Sequence, residues 1–257
     1  MSRLTSRALL AACAALAAAA FGSECALLWE TVSRARAFRA AALWEKLLPQ
    51  LCNTLLLAGA ALAFAVPTAL FCAVWLLRTR KGRCKRLLLR MLSALAGIPT
   101  AVYGLFGYLV FGSTLTLGFS LLTGALTAAL LLLPTTVFLL WGTLSQLGDG
   151  ALRGALALGA SEGRAVFGIL LRQALPAIRT ASLLAASRVA AESAALILTS
   201  GVGETHARGL ARFLRSGATL SVGMYQSVLE GETGAAFSAG VLLLLLSLLL
   251  DTLTRGR

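Results

Sequence analysis

Runs of about twenty apolar residues recur along this 257-residue chain, and about twenty residues of helix is the length that crosses a hydrocarbon core. Lipid offers no partner to backbone polar groups, so each run must close its hydrogen bonds within itself as helix. The alternative, a β-barrel, needs segments of about ten alternating residues, and the Leu/Ala blocks here do not alternate. With 58% hydrophobic and 13% charged residues, a soluble globule is excluded. The expectation is an all-α integral membrane protein, with residues 1–257 forming one transmembrane domain.

Six spans are expected, at Ala8–Leu28, Leu51–Leu77, Leu87–Phe111, Leu117–Leu140, Ala174–Leu198 and Ala235–Leu253. Residues 1–46 supply an N-terminal helix and an outer loop, residues 47–253 a five-helix core, and about 148–172 a cytoplasmic loop. Lys and Arg decide orientation, because cytoplasmic segments carry the excess. With the N-terminus inside, fourteen of the 23 basic residues are cytoplasmic and seven lie outside. Arg3, Arg7 and the small residues near Ala20–Ser23 also fit a secretory signal peptide. The charge split disfavours that reading, and cleavage would leave the other five spans in place. The cluster from Arg78 to Arg90 is the strongest anchor, read as a stop-transfer signal; such clusters also attract anionic lipid. The loop Trp29–Lys46, with Trp at both ends, is expected as a short surface helix anchored at the interface.

The formal charge of +13 is absorbed by this topology, so nucleic acid is not an expected partner. Five cysteines without a C-x-x-C pair read as packing residues. No G-x-x-x-x-G-K-[ST] phosphate cradle is present, and His206 is the only histidine, in a polar outer segment. The chain therefore carries no visible means of hydrolysing ATP or of covalent catalysis. It is read as a non-enzyme with no metal site and no cofactor of its own, whose energy comes from a partner.

One polar interval sits between the apolar runs: Arg153 to Pro176, RGALALGASEGRAVFGILLRQALP. It resembles the cytoplasmic EAA loop of binding-protein-dependent ABC importer permeases. Arg153-Gly154-Ala155 stand at the Glu-Ala-Ala position, followed by Gly159, Ala160 and Ser161. Arg153 replaces the acidic residue and Arg172 stands where a first Leu-Pro proline is expected, whereas Leu175-Pro176 is retained.

Two further segments narrow the resemblance. Gly97-Ile98-Pro99-Thr100-Ala101-Val102-Tyr103-Gly104-Leu105-Phe106-Gly107 looks like a stretch of phosphate-importer permeases of the PstA and PstC types. Pro99 removes a backbone donor and the glycines loosen the helix, which lipid tolerates only against protein or an aqueous cavity. The segment Ala185–Leu196 is similar to that family's A-R-A-x-G-E-T-A-P-L, with Arg188 and Glu192 at its charged positions. Spaced four apart, these two are expected on one helix face. A charge at the bilayer centre costs about 2.5–3.5 kcal/mol even on the mildest scale, so both should face the bundle interior or water. A self-neutralising ion pair and an anion site are the two readings, the site favoured.

The resemblance covers about residues 47–253. It implies a type I ABC importer permease fold with six spans in a bacterial inner membrane, both termini cytoplasmic. It further implies a sister permease, giving a heterodimer, two ATPase subunits that use ATP and Mg, and an outer phosphate-binding protein. Arg188, Glu192, Thr100 and Tyr103 are the expected pathway residues. Arg153, Gly154, Ala155, Gly159, Ala160 and Ser161 are the expected coupling residues. The competing functions are a permease for phosphonate, sulfate, molybdate or an amino acid, and a passive channel or scaffold.

Overall fold

The computed structural model describes residues 26, 29, 40–79, 82–203 and 209–255. The expected span Ala8–Leu28, the signal-peptide alternative and His206 lie outside the described residues, apart from Ala26. From residue 40 onward, eight α-helices are described: α1 Ala40–Arg78, α2 Arg83–Ala96, α3 Thr100–Gly107, α4 Leu121–Ala157, α5 Leu171–Ala191, α6 Ala194–Ile197, α7 Leu220–Leu229 and α8 Thr233–Arg255. No strand occurs among the described residues.

The centre of the bundle is α4, the most enclosed of the long helices. Against it lies α1, whose Ala61, Ala65, Ala69 and Ala73 are all at most 1% exposed. Spaced four apart, they form one flat stripe that lets the two backbones approach closely, as small residues do between membrane helices. On α4 the stripe meets Ala125, Ala128, Leu132, Val137, Leu140 and Leu144. The C-terminal helix α8 instead turns Leu245, Leu248, Leu249 and Leu253 outward, an apolar surface suited to lipid.

Among the described residues, three helices are long and apolar enough to cross a membrane: Glu45–Arg78, Leu121–Leu147 and Thr233–Thr254. A fourth arises only if α2 and the segment Thr100–Thr114 count together. Helix α5 has 21 residues, about 31 Å at 1.5 Å per residue, but Arg172, Arg179 and Arg188 keep it from reading as an ordinary span. The expected count of six is therefore not reached among the described residues.

Four local expectations are corrected. Ala40 to Lys46, expected in the outer loop, already form the first turns of α1. Leu87–Phe111 is not one straight span: the chain bends by 101° at Gly97–Pro99. Pro99 cannot donate a helical hydrogen bond, and it serves as the N-cap of α3. After Gly107 the coil widens into a π-helix over Tyr108–Thr114. The fourth helix does not stop at Leu140 but runs on to Ala157, because no proline follows Pro134 to end it. Finally, the expected span Ala174–Leu198 breaks at Glu192, which is extended at ψ 127°.

Helix α2 is held to its neighbours by Lys85. Its Nζ donates to the Leu76 and Thr79 carbonyls at 2.6 and 3.2 Å, capping the end of α1. The same ammonium sits 5.6 Å from the centre of the Trp141 ring, while Leu92 is buried against α4.

Candidate functional site

Two places in this fold gather the residues singled out by sequence. The first surrounds the break at Glu192. The carboxylate accepts a hydrogen bond from the Ala195 amide at 3.2 Å, so Glu192 caps the short helix α6. Its main-chain carbonyl accepts from Ser221 Oγ at 2.6 Å, tying the break to α7. Further along, the Thr199 carbonyl accepts from the Ser120 amide, and that of Ser200 from the Gly217 amide and Ser216 Oγ. Irregular backbone at membrane depth has its polar groups satisfied here by protein, as it must.

Arg188 lies in the last turn of α5 and is exposed on the surface of this chain. Its guanidinium forms no hydrogen bond or ion pair among the described residues. Glu192 is not its partner. The helix ends at Ala191, the Glu192 carboxylate is engaged by the Ala195 amide, and no ion pair joins residues 188 and 192, so the self-neutralising pair is not formed.

Tyr103 is buried, and its hydroxyl donates to the Leu95 carbonyl at 2.8 Å. The bond runs from α3 back to the end of α2 and braces the bend at Gly97–Pro99. Thr100 opens α3 and is partly exposed. The glycines of this stretch make close contacts. A Cβ on Gly104 would lie 2.8 Å from the Ala195 Cα, and one on Gly107 would lie 2.0 Å from Thr127 Oγ1. The motif thus packs α3 onto α4 and α6, and brings Tyr103 and Gly104 beside the broken end of the Arg188 helix.

The second place is the far end of α4. Arg153, Gly154 and Ala155 belong to its last turns, with Ala155 buried and the other two exposed. The helix closes in a Schellman motif: the Ala160 amide donates to the Ala155 carbonyl and the Gly159 amide to that of Leu156, both at 3.0 Å. This geometry needs the left-handed backbone that Gly159 adopts at φ +84°. Ser161 starts the next turn, its carbonyl accepting from the Ala165 amide at 2.9 Å. The segment expected to couple is a helix end with a tight reversal, continued by a π-helix over Arg164–Leu170 into α5.

Several residues that matter here were not singled out by sequence. Leu158, at the tip of the reversal, is 90% exposed, an apolar knob presented outward. Its sequence signal is an apolar residue directly before a left-handed glycine. Arg78 at the end of α1 is ion-paired with Glu162 just past the reversal. A sequence separation of 84 left no signal for that pair. Ser221 and Thr127 likewise carry no mark of their roles. No cluster of residues able to hold a metal occurs among the described residues.

Comparison with known proteins agrees with this architecture. Residues 65–256 match the family described as binding-protein-dependent transport system inner membrane component. The phosphate transport system permease protein PstA 1 of Mycobacterium tuberculosis is 31% identical over 180 residues, 70% of this chain and 58% of that protein. A PstA homolog of Mycoplasma pneumoniae is 31% identical over 163 residues, 61% of this chain and 25% of that protein. The chain thus spans from a quarter to about three fifths of these relatives' lengths. Among solved structures, a bacterial ABC transporter that imports the acidic polysaccharide alginate superposes with a TM-score of 0.64, covering 99% of both chains at 14% identity. That likeness concerns the fold. With three quarters of its length inside the family match, the chain belongs to the inner membrane components of binding-protein-dependent transport systems.

Proposed function

We propose that this chain is a permease subunit of an ATP-driven importer for inorganic phosphate, and that it forms half of the translocation pathway. The observation that carries the reading is Arg188: a guanidinium in the last turn of α5, exposed on this chain and without a hydrogen-bond or ion-pair partner among the described residues. An intramembrane charge is costly in lipid and is placed toward a bundle interior or an aqueous path. Arginine presents a planar fork of donors that suits an oxyanion. A sister permease facing α5 and α3 would enclose Arg188 and complete that site. The names of the curated relatives support phosphate as the oxyanion.

Glu192, fixed by Ala195 and Ser221, holds the helix break open next to Arg188. Tyr103 and Thr100 belong to the bend that forms the opposite wall. At the far end of α4, an ATPase subunit would seat the reversal Arg153–Ser161, with Leu158 inserted into its surface. Closure of two ATPases on ATP and Mg would move α4 as a rigid rod. An outer solute-binding protein would deliver the anion, and the termini would lie in the cytoplasm.

Uptake into proteoliposomes carrying the assembled importer tests the substrate. Radiolabelled phosphate should accumulate only with ATP, and excess sulfate, molybdate or phosphonate should not compete. ATP-dependent accumulation of one of these anions, with no phosphate accumulation, would replace phosphate with that anion.

A further inference from the structure

The 101° bend at Gly97–Pro99 sets α2 nearly perpendicular to the segment that follows it. If that segment crosses the bilayer, α2 lies along the membrane plane, at headgroup depth. At 100° per residue, its surface divides into three sectors. One faces protein, with Leu92 buried, Leu88 and Leu89 packed on the core, and Lys85 bonded to the end of α1. A second, about 60° wide, holds Arg83, Arg86 and Arg90; all three are exposed, and their guanidinium groups have no partner among the described residues. The third holds Leu87, Met91 and Leu95, which are 58%, 56% and 38% exposed.

The apolar sector does not stand alone. With Phe71 and Trp75 of α1, residues Leu87 and Met91 line a groove of about 320 Å³. Beside it lies a basic recess lined by Arg83, Arg86 and Arg90. Cys84 and Leu87 border both hollows. An apolar groove opening into a cluster of unpaired guanidinium groups matches one kind of molecule, an amphiphile with an acyl chain and an anionic head. No carboxylate side chain occurs on α2 to neutralise the arginines, and the stop-transfer role of the cluster does not require the groove.

We infer that the α1/α2 groove is a binding site for an anionic phospholipid, with its acyl chain along Phe71, Trp75, Leu87 and Met91 and its phosphate at Arg83, Arg86 and Arg90. Basic residues at a membrane surface attract anionic lipid, and guanidinium binds phosphate through paired donors. This site is separate from Arg188 and does not depend on which solute is carried.

Trp75 lies in the groove and reports on its occupant. In the full-length chain in phosphatidylcholine nanodiscs, with Trp29, Trp44 and Trp141 changed to Phe, Trp75 is the only tryptophan. Brominated phosphatidylglycerol should quench it half-maximally at a mole fraction on the order of tenfold below that of brominated phosphatidylcholine. The triple change Arg83→Gln, Arg86→Gln, Arg90→Gln should make the two lipids equivalent. Millimolar inorganic phosphate should leave the preference intact, because the occupant is a lipid rather than the free anion. Equal quenching by the two lipids in the unsubstituted basic cluster would overturn the site, and would be the result if an acidic protein segment covered it. Retention of the preference in the triple variant, or its loss on adding phosphate, would overturn it as well.

Discussion

Gly104 lies directly on the backbone of Ala195: a Cβ at residue 104 would come within 2.8 Å of the Ala195 Cα and 2.9 Å of its carbonyl oxygen. The bend of α3 and the break after α5 are thus one joint, held together by the absence of a side chain. Neither partner is free to move alone, since Tyr103 is bonded to Leu95 on one side and Glu192 caps α6 on the other.

The joint predicts a sharp contrast between two glycines. Gly104→Ala should destabilise the protein by roughly 1–3 kcal/mol, the usual cost of forcing extra volume into a packed contact. Gly142→Ala, where a Cβ meets nothing within 4 Å, should be neutral or stabilise by up to about 1 kcal/mol, because alanine favours helix. Thermal unfolding of the two variants in the same lipid would check this. Equal shifts would contradict the contact.

Gly159→Ala puts a Cβ on a residue at φ +84°, which costs about 1–2 kcal/mol and loosens the reversal after α4. On the proposed function, in which the reversal seats the ATPase, ATP hydrolysis should persist while the phosphate moved per ATP falls several-fold. Measuring both rates in proteoliposomes separates coupling from simple loss of protein. An unchanged ratio would remove the reversal from the coupling path.

Arg78 and Glu162 join the end of α1 to the start of the chain's return. Both are exposed, so the pair should add little to stability. Its expected role is to make α1 follow the reversal. Arg78→Glu should lower transport per ATP, and the exchange Arg78→Glu with Glu162→Arg should restore most of it. Failure of the exchange to rescue would show that the contact has no part in coupling.

Glu192 separates capping from charge. Glu192→Gln keeps an oxygen for the Ala195 amide and should fold like the parent, whereas Glu192→Ala should lose about 1 kcal/mol of cap stability. Thermal unfolding of the pair is the check; equal loss in both variants would mean that charge, not the cap, matters there.

Much of the fold was legible because membrane helices announce themselves through apolar length alone. The small-residue stripe Ala61, Ala65, Ala69 and Ala73 could be read the same way from its spacing. The breaks were harder. Pro99 announced a bend but not its 101°, and nothing in Ala191-Glu192-Ser193 declared that the helix would end there. That break is set by tertiary bonds from Ser221 and by the cap on Ala195, which a local pattern does not encode. For the same reason spacing alone did not show that the Glu192 carboxylate would bond the Ala195 amide rather than Arg188. Gly104 and Gly107 read as loosening elements, yet they are contact points, because their partners Ala195 and Thr127 are distant in sequence.

The central claim is that Arg188 faces the translocation path. The most direct measurement is ATP-dependent phosphate uptake by proteoliposomes containing the assembled importer with Arg188→Ala, alongside thermal unfolding of the same preparation. The account predicts uptake reduced at least about a hundredfold, as expected for loss of a charge-assisted contact worth roughly 3 kcal/mol, with unfolding and assembly unchanged. Uptake at the parent rate in a fully assembled complex would contradict it.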